Sequence, residues 1–301
     1  MATMTSKNQI RAVNQHAGGS TKTKIGRDYM LTQTSSQLKR THNLQIRSFA
    51  DLKTSHLQKL VTGWAQQGIQ QRTVNNRLAA IRAALNEKGR EKFAKAEVNS
   101  NQMLWMNANG LPKPVSASRK GTHAVIPKNV ITGRINTLPE PFKTVASLQL
   151  HLGLRAREAV LAGDTLRTWE KQLKANQPLT VIYGTKTGKN RDVHILNQEH
   201  KEVLKTLIKH AIALQGKERH LIPAKGKHPA EAALRKFQRA MNKVGFKGKE
   251  ASHAIRYAWA KEQYARRLEQ LGDRRNALAT LSQDLGHGDG RGRYCAHVYL
   301  S

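Results

Sequence analysis

The sequence predicts a mainly α-helical chain with one small antiparallel β-sheet, an α+β protein of two domains. Three observations carry this expectation. Val74, Leu78, Ile81 and Leu85 recur at i, i+4, i+7 and i+11, the period of one helix face. Leu179-Thr-Val-Ile-Tyr183 is rich in β-branched residues and is answered, after a glycine-bounded turn, by Asp192-Val-His-Ile195, the pattern of a hairpin. Between these regions, Asn107 to Gly121 gathers Pro, Gly, Ser and Lys, the composition of a solvated linker.

Taken in order, residues 1–30 are polar, basic and rich in Ser, Thr, Asn and Gly. They read as a flexible basic arm, either tracking a DNA backbone or simply disordered. Residues 31–110 read as a small helical domain. Leu57, Leu60, Val61 and Trp64 share one face, Gly68 breaks the pattern, and Thr73 is expected to cap the next helix. That helix carries Arg72, Asn76, Ala79 and Ala83 opposite its apolar stripe, flanked by Arg77 and Arg82. Small residues between basic ones would let it approach a DNA groove. The alternative is that alanine is a good surface helix former. Residues 111–128 form the linker and 129–301 the second domain. A helix from Phe142 meets the turn Gly153-Leu-Arg155, and a second helix begins there. The hairpin follows, with Lys189 and Arg191 at its basic tip, and then helices separated by basic loops.

Charge narrows the partner. Lys plus Arg number 52 against 20 Asp plus Glu in 301 residues, a formal charge of +32 spread along the chain. Such a field concentrates a polyanion, so a nucleic acid is the expected partner; a ribosomal-type or general nucleic-acid-coating protein would share it. The single cysteine, Cys295, allows no disulfide within the chain and no cysteine-based zinc site, which suits a reducing cytoplasm. No run of 18 apolar residues and no secretory core at the N-terminus are present.

Two cofactor readings fail on spacing. Gly184-Thr-Lys-Thr-Gly188-Lys189 has three residues between its glycines where a phosphate loop has four, Asn190 stands where a magnesium-holding hydroxyl belongs, and the segment lies in a hairpin. His253, His287 and His297 have no carboxylate or cysteine cluster beside them, and no acidic cluster suits paired magnesium ions. Neither a metal nor another cofactor is expected.

What remains is an ordered series: Arg155, Lys186 in the hairpin, His253-x-x-Arg256, His287 after Leu285-Gly286, and a terminal tyrosine, Tyr294 or Tyr299. Each is weak alone in so basic a chain. Spacing of i,i+3 puts His253 and Arg256 on one helix face. Two arginine forks match a phosphate whose oxygens gather charge under attack.

In these residues the chain resembles the tyrosine recombinases, the phage-integrase family, over roughly residues 31–301. The resemblance implies a core-binding domain and a catalytic domain clamped around duplex DNA. It implies Arg155 and Arg256 as phosphate-binding arginines, Lys186 as the hairpin lysine, and His253 and His287 as supporting donors. It also implies a covalent 3′-phosphotyrosine that needs neither metal nor ATP, and a homo-oligomer on DNA, a tetrameric synapse, with accessory DNA-bending proteins as further partners. A prokaryotic or phage source and a place beside the nucleoid would follow. The gap from His287 is longer than the family's usual one to Tyr299 and shorter to Tyr294. Tyr299 is favoured because it leaves room for a helical turn after Gly288, Gly290 and Gly292. Against it, Tyr294 stands near a His-Val pair like the one that follows the family's nucleophile. The chain also ends two residues after Tyr299, short of the docking segment many members carry. An inactive DNA-binding protein of the same fold and a type IB topoisomerase-like nicking-closing enzyme are the rivals.

Overall fold

The computed structural model describes residues 7–44, 46–109, 125–185, 188–215, 220–226 and 228–300. The chain divides into two compact units, Met1–Ala117 and Ser118–Ser301. Its described secondary structure is mainly helical, with one two-stranded antiparallel sheet.

In the first unit, helices α1 (Lys7–His16), α2 (Thr21–His42), α3 (Thr54–Gln66), α4 (Gln71–Glu87), α5 (Glu91–Lys95) and α6 (Asn101–Asn109) surround one apolar core. The stripe Val74, Leu78, Ile81 and Leu85 is buried, as are Leu57, Leu60, Val61 and Trp64 of α3. Each such side chain contributes about 1.5–3 kcal/mol by leaving water. Trp64 donates its indole N–H to Gln37, and Arg77 lies 4.9 Å over its ring. Gly68 takes a positive φ of 70° just after α3, where the helical pattern breaks.

Two expectations for this unit are corrected. The stretch taken as a flexible arm is helical from Lys7: Ile10 and Val13 are buried and α1 packs on α4. Ser20 then caps α2 by accepting the Thr23 N–H at 3.3 Å. The apolar residues of this stretch are too sparse to show a period, and it is the packing that makes it helical. Thr73 is not a cap: α4 begins two residues earlier, after Gln70.

In the second unit, α7 (Lys128–Asn136), α8 (Phe142–Leu152), α9 (Ala156–Val160) and α10 (Leu166–Lys174) precede the sheet. Strands β1 (Leu179–Val181) and β2 (Arg191–Val193) pair Leu179 with Val193, Thr180 with Asp192 and Val181 with Arg191. Helices α11 (Gln198–Gln215), α12 (Pro229–Lys243), α13 (His253–Leu271), α14 (Arg274–Asp284) and α15 (Gly292–Cys295) follow, and a π-helical turn over Ala296–Leu300 continues from α15. Helix α13 runs through the core, against α8, α14 and the π turn. The linker expected over 111–128 falls for the most part on residues 110–124, outside the described residues; Ile126 already belongs to the second core.

Candidate active site

Glycine at two points lets the backbone place the site arginines. Gly153 ends α8 at φ 57°, and a Cβ there would lie 2.3 Å from the Trp259 ring. The chain therefore turns tightly into Leu154, which is buried, and Arg155, which opens α9. Gly286 has φ 65°, and a Cβ there would come within 2.6 Å of Arg191 Cδ. Only a residue without a side chain serves at either place.

These turns bring two loops over the first residues of α13. Arg256 is fully buried. Its guanidinium donates to the carbonyls of Gly153 and Leu285, and its Nε lies 3.4 Å from the Tyr299 hydroxyl. Arg155 donates to the same Leu285 carbonyl at 3.3 Å and to Glu158 Oε1 at 2.6 Å. His287 Nε2 is 3.0 Å from the Tyr299 hydroxyl. The His253 ring meets that of Tyr257 edge-on at 5.6 Å, and Tyr257 lies 4.8 Å from the ring of Tyr299. Of the six residues singled out by sequence, five thus lie in one cluster. Lys186 lies outside the described residues.

The two tyrosines sit differently. Tyr299 is in the π turn, 3% exposed, with its hydroxyl between Arg256 and His287. Tyr294 is half-buried in α15, and only its ring approaches His287, at 5.0 Å. Helix therefore begins at Gly292 and includes both tyrosines.

Sequence reasoning gave Glu158 no role. It is 1% exposed and faces three arginines, Arg155 at 2.6 Å, Arg191 at 2.7 Å and Arg256 at 3.9 Å. Burial pushes its carboxyl up, but the charges of Arg191, Arg256 and Arg155 outweigh this and hold it down at about 2. Glu158 also accepts the Arg155 backbone N–H at 2.8 Å and so caps α9. An acidic residue three after an arginine at a helix start is the signal that was available. One carboxylate among three guanidiniums leaves the cluster positively charged, the condition for holding a phosphate.

The residues expected to face DNA are not alike. Arg72, Asn76 and Lys189 are exposed. Arg77 is half-buried on Trp64, and Arg82 bonds the carbonyls of Ala94 and Asn99, which ties α4 to the chain after it. Arg191 is a correction: it is no tip residue but the first residue of β2, 6% exposed. Strand alternation explains this. Val193 and Arg191 point inward, while Asp192 between them points out and meets Thr180 at 2.8 Å.

Residues 2–94 match the family model described as phage integrase, N-terminal, and residues 115–262 match the one described as integrase. The chain belongs to the phage-integrase family of tyrosine recombinases. The family acts on DNA, and its two domains, core-binding and integrase, are those of this chain. Its fold is shared with the Tn1549 transposon integrase solved with a circular intermediate DNA (TM-score 0.58, 15% identity, 99% of this chain and 95% of that one). It is also shared with the lambda integrase solved as a dimer bound to a COC′ core site (TM-score 0.55, 18% identity, 96% and 76%) and as a tetramer on a Holliday junction (TM-score 0.55, 17% identity, 95% and 75%). No curated protein matches the sequence. Among the described residues, no helix is long and apolar enough to cross a membrane.

Proposed function

We propose that this protein is an active site-specific recombinase that cuts and rejoins duplex DNA through Tyr299. The observation that carries the reading is the Tyr299 hydroxyl, 3.4 Å from Arg256 Nε and 3.0 Å from His287 Nε2. In this reading the phenolic oxygen attacks phosphorus, the bond from phosphorus to the 5′-oxygen breaks, and a 3′-phosphotyrosine forms. Arg155 and Arg256 hold the non-bridging oxygens, which carry the growing charge. His287, beside the hydroxyl, accepts the phenolic proton, and His253 supports the phosphate from the start of α13. Lys186 returns a proton to the departing 5′-oxygen. Rejoining reverses the step, and the conserved bond energy makes ATP unnecessary. The fixed charges of the arginines do the work that magnesium does in other nucleases, so cutting is metal-independent.

Arg72, Asn76, Arg77, Arg82 and Lys189 are the proposed DNA contacts, with Arg82 also structural. The lambda integrase forms dimers and a tetramer on DNA, which supports a homo-oligomer here, working beside the nucleoid. A nicked suicide duplex tests the chemistry. Wild type should form a covalent adduct in excess EDTA, and Tyr299→Phe should bind DNA but form none. An adduct lost in Tyr294→Phe but kept in Tyr299→Phe would move the nucleophile, and no adduct in wild type would leave the inactive DNA-binding rival. Relaxation of supercoiled DNA without exchange between two sites would favour the topoisomerase-like rival.

A further inference from the structure

Arg191 has no part in the chemistry above, yet it is a buried cation at its centre. Burial pulls its guanidinium down, and Glu158 opposes this, leaving it at about 10 and charged at neutral pH. One of its terminal nitrogens donates to Glu158 Oε2 at 2.7 Å, the other to the Asp284 carbonyl, and its Nε has no hydrogen-bond partner among the described residues.

Its two acceptors belong to opposite sides of the cluster. Glu158 is the carboxylate that binds Arg155 and faces Arg256. Asp284 ends α14, one peptide before the Leu285 carbonyl that both Arg155 and Arg256 use. The Asp284 carboxylate is itself held by Arg267 and by His194 Nδ1 at 2.8 Å. Arg191 also fills the space above Gly286. Without it, Glu158 would face only Arg155 and Arg256 and would draw their N–H groups inward. A planar fork can hold two separate acceptors at fixed angles, and an ammonium cannot.

We propose that Arg191 is a positioning residue: by clamping Glu158 to the Asp284 carbonyl it fixes the Leu285–Gly286–His287 turn and sets the guanidiniums of Arg155 and Arg256, which bond that turn, at the angles the scissile phosphate requires. The assignment rests on the recombinase reading. Arg191 acts from behind the arginines and through them.

The test uses full-length Arg191→Met and Arg191→Lys beside wild type. Four quantities are measured: duplex affinity, rate of adduct formation on a nicked suicide duplex, thermal melting, and the side-chain Nε–H NMR resonances of Arg155 and Arg256 in the free protein. Both variants should lose about 100-fold or more in adduct rate, the scale of a small displacement at a reacting centre, with affinity within about threefold of wild type. The two resonances should move, while that of Arg134, paired with Glu250, stays. Adding Glu158→Gln to Arg191→Met should recover about tenfold or more, because no carboxylate remains to draw the arginines inward. A purely structural role predicts no recovery. Adduct rates within about threefold of wild type, or unmoved resonances in a folded variant, would overturn the assignment. Losses that track melting, with no recovery in the double variant, would do the same. If Arg191→Met does not fold, Arg191→Lys decides. If wild type forms no adduct, it is the recombinase reading that fails; the resonances then decide for Arg191 on their own, moved in support or unmoved against.

Discussion

Replacing Glu158 by Gln removes the one negative charge shared by Arg155, Arg191 and Arg256 while keeping the side chain's size. The carboxyl is held at about 2 against a usual value of 4.5. At 1.36 kcal/mol per pH unit, its ionised form contributes about 3 kcal/mol at neutral pH. This agrees in scale with the roughly 3–5 kcal/mol lost when one partner of a buried ion pair is removed. For a unit of this size the melting temperature should fall by about 6–12 °C. The sign with pH follows from the depressed value. The contribution is complete above pH 4.5 and fades as pH falls toward 2, so the gap between wild type and Glu158→Gln should shrink to roughly 1 kcal/mol near pH 3. Circular-dichroism melts of both proteins at pH 7 and pH 3 provide the measurement. Equal melting at pH 7, or a gap that does not change with pH, would refute the account of this carboxylate.

Other expectations are as direct. Burial, with the charges of His200 and Lys128, lowers His151 from 6.5 to about 4. Its neutral form is favoured in the folded state, so stability is intact above pH 6.5 and should fall by about 2 kcal/mol by pH 5 in urea titrations; His151→Gln should flatten that slope. Gly153→Ala drives a Cβ into Trp259 at a positive φ and should cost about 2–4 kcal/mol, whereas Gly133→Ala, in α7 with open space around it, should gain about 0.5–1 kcal/mol. The logarithm of duplex affinity should fall with the logarithm of salt by roughly 0.9 per phosphate neutralised, and a flat response would argue against DNA as the main partner of a +32 chain.

Legibility in the sequence followed physical cause. The stripe Val74–Leu85 and the face Leu57–Trp64 were readable because each buries one side of a helix, and burial imposes the period. Gly-Leu-Arg155 and Leu-Gly-His287 were readable because both glycines serve backbone turns that no other residue makes cheaply. Residues 7–30 were not, because α1 and α2 carry few apolar residues and owe their order to the helices they pack on. Arg191 was misplaced because charge was given more weight than strand parity, although Val193 inward and Asp192 outward already fixed its side. Glu158 was not legible, since its meaning lies in three arginines 3, 33 and 98 positions away, which only the fold brings together.

The wide turn over Ala296–Leu300 bears on how distance along such a chain should be counted. Each residue of an α-helix advances the side-chain direction by about 100°, so one residue more or less before Tyr299 would swing its hydroxyl out of phase with Arg256 and His287. A π turn takes up one extra residue per circuit and restores the phase. Between His287 and the tyrosine, the quantity held fixed is therefore azimuth rather than residue number. Substitutions at the exposed Asp289 and Arg291 should be tolerated far better than single-residue insertions or deletions between His287 and Tyr299. Spacing rules written in residues will misjudge any chain whose final helix carries such a compensating turn.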